Sequence, residues 1–272
     1  MQDIHKGFQD VNQVPDAEAF FRFLDAADAL ETTQAYRQRM LDFCPPRDGQ
    51  RILDLGCGVG HSALRLAGMV GETGSVVGLD KSEALIAEAR RRAARAYAAP
   101  EYRIGDAQKL DLAAQSFDVC RTERVLMYVE RPEQVLDEIL RVLRPGGTVM
   151  LFEFDYDGIV VDAPDQPLTR RLVSLVANSV PSPWIGRRLP RHLHERGVHG
   201  LTIVPHMILT PFAMFRRVVG GTIDQAVQSG DASGNGVEAW WQSLEEADRA
   251  GHFFAGFQGF LVCGRAGERR LM

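Results

Sequence analysis

Asp54, Asp80 and Asp106 occupy a repeated setting, each at or just past the end of a short apolar run that reads as a buried strand. After Asp54 come Gly56, Gly58 and Gly60 in "LDLGCGVG". A strand that turns straight into a helix points backbone N–H groups and the helix N-terminus at whatever lies beyond the sheet. Glycines there allow the tight turn and the close approach of a ligand. The dinucleotide spacing G-x-G-x-x-G fails, because His61, Ser62 and Ala63 follow Gly60, and no Walker lysine is present.

The acids narrow the ligand further. A carboxylate at Asp54 would oppose a pyrophosphate but suits an ammonium. Asp80 lies twenty residues after Gly60, where a carboxylate accepts from both hydroxyls of a ribose. Asp106 follows a third strand in "GDA". Acids at the carboxyl ends of three successive strands line one crevice in an open α/β sheet. Together they describe a nucleoside with a positively charged, zwitterionic tail. S-adenosylmethionine fits that description and NAD does not.

The elements that must position these acids are legible from periodicity. "RILDLG", "GSVVGLD", "EYRIGD", "FDVCRT" and "TVMLFEF" read as strands. Between them "HSALRLAGMVG", with Ala63, Leu64 and Ala67 inward, "SEALIAEARRRAARAYA", with Ser82 as N-cap, and "PEQVLDEILRVL" read as helices. That alternation implies a parallel sheet with right-handed crossovers. Residues 16–43 read as amphipathic lid helices with Phe20, Phe21 and Phe23. Residues 159–250 read as helices, a sixth strand and a cap insertion, with "SGDASGNG" as a mobile surface loop. "GFLVCGR" reads as the last strand, within 252–265. The expectation is one domain, 1–272, with its cofactor core at 50–155.

Composition excludes some classes. The formal charge of the 272 residues is −5 with no basic stripe, which weighs against nucleic acid. Arg90, Arg91, Arg92 and Arg95 read as a solvated helix face. The four cysteines lack metal-ligand spacing, and a reduced, cytoplasmic protein without a metal is expected. The N-terminus lacks an apolar signal core and no run is long enough to span a bilayer, so no membrane partner is expected.

"LDLGCGVG", "VVGLDKS", "GDAQKL", "FDVCRTERVL" and "LRPGG" resemble, in order and spacing, the motif series of class I S-adenosylmethionine-dependent methyltransferases, most closely the type 11, UbiE-like small-molecule group. The resemblance implies a Rossmann-like, mostly parallel seven-stranded sheet of order 3-2-1-4-5-7-6, its strand 7 antiparallel, with a helical cap. It implies that Gly56, Gly58 and Gly60 approach the methionine part, with Asp54 nearby. By the same resemblance Asp80 holds the ribose, Lys81 flanks the adenine, and Asp106 with the Ala107 backbone meets the adenine amino group. Thr122 would offer its backbone carbonyl to the ammonium, and Arg37 would reach the methionine carboxylate. S-adenosylhomocysteine would be the product.

Methyl transfer needs alignment above all, worth roughly 7–11 kcal/mol, so a base is optional. Candidates for one are Glu153 first, at the end of strand five, then His206; Asp155, His192, His194 and His252 are others. Phe20, Phe21, Phe23, Tyr36, Tyr128, Trp184, Trp240 and Trp241 either wall an apolar substrate pocket or form the core of the cap. The expected activity is methylation, at O, N or C, of a small organic molecule of the kind found in secondary metabolism. Oligomeric state is not readable from the chain. Alternatives on the same fold are a non-methylating cyclase or rearrangement enzyme, and a cofactor-sensing binding protein.

Overall fold

The computed structural model describes residues 7, 8, 12 and 16–267. Seven strands form one sheet in the order β3-β2-β1-β4-β5-β7-β6, as the resemblance implied. They are β1 (Arg51–Leu55), β2 (Ser75–Asp80), β3 (Glu101–Ile104), β4 (Phe117–Glu123), β5 (Leu143–Val161), β6 (His199–Leu209) and β7 (Ala255–Arg265). β1 pairs parallel with both β2 and β4, and β4 with β5; β7 runs antiparallel between β5 and β6. The strand order therefore reverses at the β1/β4 boundary, where open α/β sheets place a ligand crevice.

Side chains of successive strand residues fall into different apolar clusters, as the two-residue period demands. Ile52, Val76 and Val119 pack with Ala63, Leu66, Ile86 and Ala89 of α3 (His61–Ala67) and α4 (Glu83–Ala93). Leu53, Leu55, Leu79 and Cys120 join a larger cluster with α2 (Glu31–Phe43) and α5 (Pro132–Val142). Leu66, rather than the expected Leu64, is the buried leucine of α3. Ser82 caps α4 by accepting from the Leu85 N–H, which is the capping geometry its residue type favours.

The remaining helices are α1 (Ala17–Asp28), α6 (Gln166–Ala177), α7 (Ile185–Glu195), α8 (Phe212–Ser229) and α9 (Gly234–Arg249). α1 starts on Asp16, whose carboxylate accepts from the Ala19 N–H, and buries Phe20, Phe23 and Ala27. α8 and α9 fall between β6 and β7 in the chain and supply the cap.

Two expected boundaries are corrected. Residues 159–161 are not the start of a separate segment: β5 bulges after Phe154 and continues, pairing Ile159, Val160 and Val161 with β7. The "SGDASGNG" stretch, expected as a mobile surface loop, is a short turn between two helices. Ser229 closes α8, Gly230 takes a left-handed cap conformation with φ of 83°, and Ser233 already caps α9.

The cap has its own aromatic core. Phe212, Phe215, Trp240, Trp241 and Phe253 meet at centroid distances of 4.7–6.4 Å. Trp240 and Trp241 hold α9 against α8 and do not line the ligand cavity. Trp184 is also outside it, half exposed beneath Arg187 and Arg188. Of the expected pocket aromatics, Phe23 and Tyr128 reach the cavity.

Candidate ligand cavity

A cavity of about 420 Å³ opens at the carboxyl edge of the sheet. Asp54, Gly56, Gly58, Asp80, Lys81, Asp106, Ala107 and Arg37 all line it, so most of the residues singled out from sequence converge on one space. Each reaches it from a strand end or the turn after it, except Arg37, which comes from α2.

The glycine turn is built by sterics. Gly56 has φ of 73°, and a side-chain carbon on it would stand 2.1 Å from Val125 Cγ2. Gly60 has φ of 87° and faces the Tyr102 hydroxyl at 2.3 Å in the same sense. Gly60 closes the turn and does not line the cavity; Gly58 does. The Gly56 and Cys57 N–H groups donate to Leu79 O, at 2.7 and 3.1 Å, which ties the turn to β2. The Gly58 N–H donates to Asp80 Oδ2 at 3.0 Å, and the Ser82 N–H to Asp80 Oδ1 at 3.0 Å. Each Asp80 oxygen keeps acceptor capacity for a further donor. Burial pushes the Asp80 carboxyl up, against the pull of those two N–H groups.

Asp54 carries the most informative vacancy in hydrogen bonding. It is 2% exposed. Arg121 donates to its Oδ1 at 2.7 Å, while its Oδ2 has no partner. Burial raises its pKa although Arg121 opposes the shift. A buried acceptor left unmade costs about 1–3 kcal/mol, which a cationic donor in the cavity would recover. The donor set therefore fits the expected ligand: an ammonium at Asp54, a ribose at Asp80, an adenine edge beside Asp106 and Ala107, and a carboxylate at the Arg37 N–H groups not spent on Glu123 and Asp28.

The end of β4 adds a charge cluster that sequence reading missed. Glu123 accepts from Arg37 Nε and Nη2 at 2.9 and 2.8 Å, from Arg121 at 2.7 Å, from Arg124 at 2.9 Å and from the Tyr36 hydroxyl. Burial acts to raise its pKa, yet Arg37, Arg124 and Arg121 hold it well below the usual carboxylate range. Charges in "CRTER" within a strand buried on both sides were the available signal, since such residues must be paired. Thr122 does not line the cavity: it is fully buried, paired to Leu55 on one side and Leu151 on the other. Its neighbours Arg121 and Glu123 are the lining residues instead.

The lid is clamped from two sides. Asp25 of α1 meets His61 Nε2 at 2.8 Å and Arg92 Nη1 at 2.6 Å. Arg92 is thus not part of a solvated face, although Arg91 beside it is largely exposed. From the cap, Arg217 of α8 donates to Ala19 O at 2.6 Å and covers the Phe23 ring.

The structure removes the base candidates from the cavity. Glu153 is fully buried and accepts from the Val125, Leu126 and Met127 N–H groups at 2.9, 2.9 and 3.4 Å. It anchors the short 3₁₀ turn Leu126–Tyr128 and lies outside the cavity lining. His206 bonds Thr32 O at 2.8 Å through Nε2 and packs edge-on against Tyr36 and Phe152; it pins α2 to β6. Asp155 is buried in a bidentate pair with Arg187. His192 is buried near Glu133, and His194 and His252 are exposed. None of these lines the cavity. Among the described residues no group of three His, Cys, Asp or Glu is placed to hold a metal ion. No described helix is long and apolar enough to cross a membrane.

Comparison with known proteins agrees with this geometry. A family model described as a methyltransferase domain matches residues 46–184. An uncharacterized 37.1 kDa protein in transposon TN4556 of Streptomyces fradiae is 35% identical over 93% of this chain and 72% of its own length. The ubiquinone/menaquinone biosynthesis C-methyltransferase UbiE of Roseobacter denitrificans is 37% identical over 44% of this chain. The chain spans about half the length of the UbiE relatives it matches, 48% for that one. Among solved structures, phosphoethanolamine N-methyltransferase 2 of Haemonchus contortus, in complex with phosphomonomethylethanolamine and S-adenosylhomocysteine, has a TM-score of 0.62 at 17% identity. That match covers 97% of this chain and 61% of the nematode protein. The YcgJ protein of Bacillus subtilis has a TM-score of 0.61 at 18% identity, covering 85% of this chain and 97% of its own.

Proposed function

Given that the chain belongs to the methyltransferase domain family, in its UbiE-like, S-adenosylmethionine-dependent group, we propose that it methylates a small organic acceptor held in the cavity beside the cofactor. The observation that carries this reading is the unpartnered Asp54 Oδ2 in a cavity that also runs to an apolar end lined by Tyr156, Ile208 and Phe257. The first feature suits a cationic amino-acid tail; the second suits a compact apolar partner rather than a polymer.

S-adenosylmethionine, when bound, supplies an activated methyl group. The chain's own residues bind, orient and exclude water. Asp80, Asp106 and Ala107 fix the nucleoside end, while Asp54 and Arg37 fix the amino-acid end. Glu123 holds Arg37, Arg121 and Arg124 together, so the lid helix α2 and strand β4 form one electrostatic unit. α1 and α8 close over the space and limit water, which strengthens every charge interaction inside. Glu153, His206 and the other sequence-derived base candidates lie outside the cavity lining, and His61 in the lining is tied to Asp25, so the rate enhancement is assigned to positioning.

The test is turnover. Purified protein, S-adenosylmethionine and a library of small aromatic and aliphatic acceptors should release S-adenosylhomocysteine in step with a product heavier by one methyl group. Tight cofactor binding with no transfer to any acceptor, or product formation without consumption of the cofactor, would contradict the proposal.

A further inference from the structure

The two ends of the cavity differ in kind. At the ends of β1, β2 and β3 it presents the acids Asp54, Asp80 and Asp106. At the ends of β4, β5 and β6 it is mostly apolar, walled by Phe154, Tyr156, Ile208 and Phe257, with Met214 and Val218 from the cap. Three features mark that end.

The first is Arg124. Its backbone has φ of 57°, a left-handed conformation that a residue with a bulky side chain rarely adopts. Its side chain is 21% exposed, and its guanidinium lies 6.0 Å from the Phe154 ring centroid. Among the described residues its guanidinium donates one hydrogen bond, to Glu123 Oε1, and Glu123 is already shared with Arg37, Arg121 and Tyr36. A guanidinium carries five N–H donors, so Arg124 brings unspent donors and positive charge to an apolar wall.

The second feature is a pair of threonines. Thr33, from the first turn of α2, is 0% exposed; Thr210, just past β6, is 8% exposed. Both line the cavity and neither hydroxyl has a partner. Buried polar groups are hydrogen-bonded as a rule; Thr122 and Thr222 are also unmet away from the cavity, and what sets Thr33 and Thr210 apart is that both stand on the same space a ligand can enter.

The third is what the lining lacks. The apolar end has no histidine or cysteine among its described residues. Its carboxylates are Glu123, neutralised by three guanidiniums, and Glu130, exposed at the mouth beside Arg131. Tyr128, bonded to Tyr156, is pushed far above the usual phenol range by burial. An acceptor that must lose a proton finds no group here to take it, whereas one that enters ionised needs none.

We propose that the β4–β5–β6 end binds the acceptor as an oxyanion: an apolar molecule with a carboxylate, phenolate or enolate oxygen on Arg124 and a further polar group on Thr33 and Thr210. This rests on the reading of that end as the acceptor's half of a methyltransferase cavity. Arg124 is the ligand-pairing residue, and Phe154 and Tyr156 set the apolar wall beside it.

Calorimetry on the full chain saturated with S-adenosylhomocysteine tests it, using 1-naphthoate and its neutral counterpart 1-naphthalenemethanol at neutral pH. The carboxylate should bind at least tenfold more tightly. Arg124→Met should erase that preference and Arg124→Lys should keep most of it. Equal affinities in the unmodified protein, or a preference that survives Arg124→Met, would overturn the proposal; the first comparison needs no variant to fold. Within a panel of hydroxy-1-naphthoates, at least one isomer should bind more tightly than 1-naphthoate, and the gain should vanish in Thr33→Val/Thr210→Val. No gain for any isomer, or a gain kept in the double variant, would overturn the threonine contacts. Titration with S-adenosylhomocysteine alone separates the two levels. Failure of that titration contradicts the cofactor reading, whereas normal cofactor binding without carboxylate preference contradicts this proposal alone.

Discussion

The two halves of the cavity were made by different means. The half at β1, β2 and β3 is local in space: each acid stands at a strand end, and the turns after those strands adjoin one another, the glycine turn after β1 reaching Asp80 through Gly58. Asp80 is held by the N–H groups of Gly58 and Ser82, and Asp106 accepts from the N–H of Gln108, two residues on. The half at β4, β5 and β6 is assembled from afar. Thr33 comes from α2, Arg124 from the turn after β4, Thr210 from the end of β6 and Met214 from α8. A ligand common to many proteins suits the local design, because strand ends and their turns place the binding carboxylates. A ligand peculiar to one protein suits the assembled design, where any wall can change without disturbing the others.

The largest effect should come from the local half. Asp80→Ala removes the acceptor for the ribose and frees the Gly58 and Ser82 N–H groups. At about 1.5–3 kcal/mol for a hydrogen bond to a charged group, affinity for S-adenosylhomocysteine should fall ten- to several-hundred-fold by calorimetry. Asp80→Asn should be milder, since one acceptor oxygen remains. Unchanged affinity in the alanine variant would break the contrast between the halves.

Glu153 comes next, and its effect should be on the fold. Glu153→Gln keeps one acceptor for three N–H groups, at a cost of about 1–3 kcal/mol, or roughly 2–12 °C in Tm, with cofactor affinity nearly unchanged. Burial pushes the carboxyl up from 4.5 to about 7 in the folded protein. A raised pKa means the folded state binds the extra proton. This group's contribution to stability is therefore complete below pH 4.5 and is lost as pH climbs through 7. The total is about 3 kcal/mol. The glutamine variant lacks this slope, so its Tm deficit should narrow between those pH values. A deficit independent of pH would contradict the assignment.

The lid sharpens the comparison at lower amplitude. Asp25 is half exposed, and its bonds to His61 and Arg92 are partly screened. Asp25→Ala should speed hydrogen exchange in 17–28 several-fold and weaken cofactor binding less than tenfold. Exchange confined to its original rate would mean that Arg217 and the aromatic contacts hold α1 without the clamp.

The smallest effect belongs to His206. His206→Phe loses one bond to Thr32 O while keeping a ring against Tyr36 and Phe152. A fall of about 1 kcal/mol in stability is expected, with cofactor affinity unchanged. A large loss of cofactor affinity would place it closer to the site than its contacts do.

What could be read in the chain follows the same division. The individual strands, the glycine turn and the three acids were legible because each depends on residues near one another in sequence, whereas the sheet order, set by pairings such as β1 with β4, came through resemblance. Arg37 was legible only through resemblance. Glu153 misled, since a strand-end carboxylate looks the same whether it faces a crevice or a turn; what decides is the 3₁₀ turn at 126–128, whose N–H groups claim it. Thr33 and Thr210 carry no pattern at all. They matter through two unpartnered hydroxyls on one cavity, 177 positions apart, and only tertiary structure brings them together.

Which end of the ligand each acid holds can be decided with two ligands and two variants. S-adenosylhomocysteine has the amino-acid tail; adenosine lacks it. Asp54→Asn should weaken S-adenosylhomocysteine by about ten- to a hundredfold, equivalent to about 1.5–3 kcal/mol for a charged hydrogen bond, and leave adenosine unchanged. Asp80→Ala should weaken both. If Asp54→Asn weakened both ligands equally, or if adenosine bound Asp80→Ala as well as it binds the unmodified protein, the placement of tail and ribose in this cavity would be wrong.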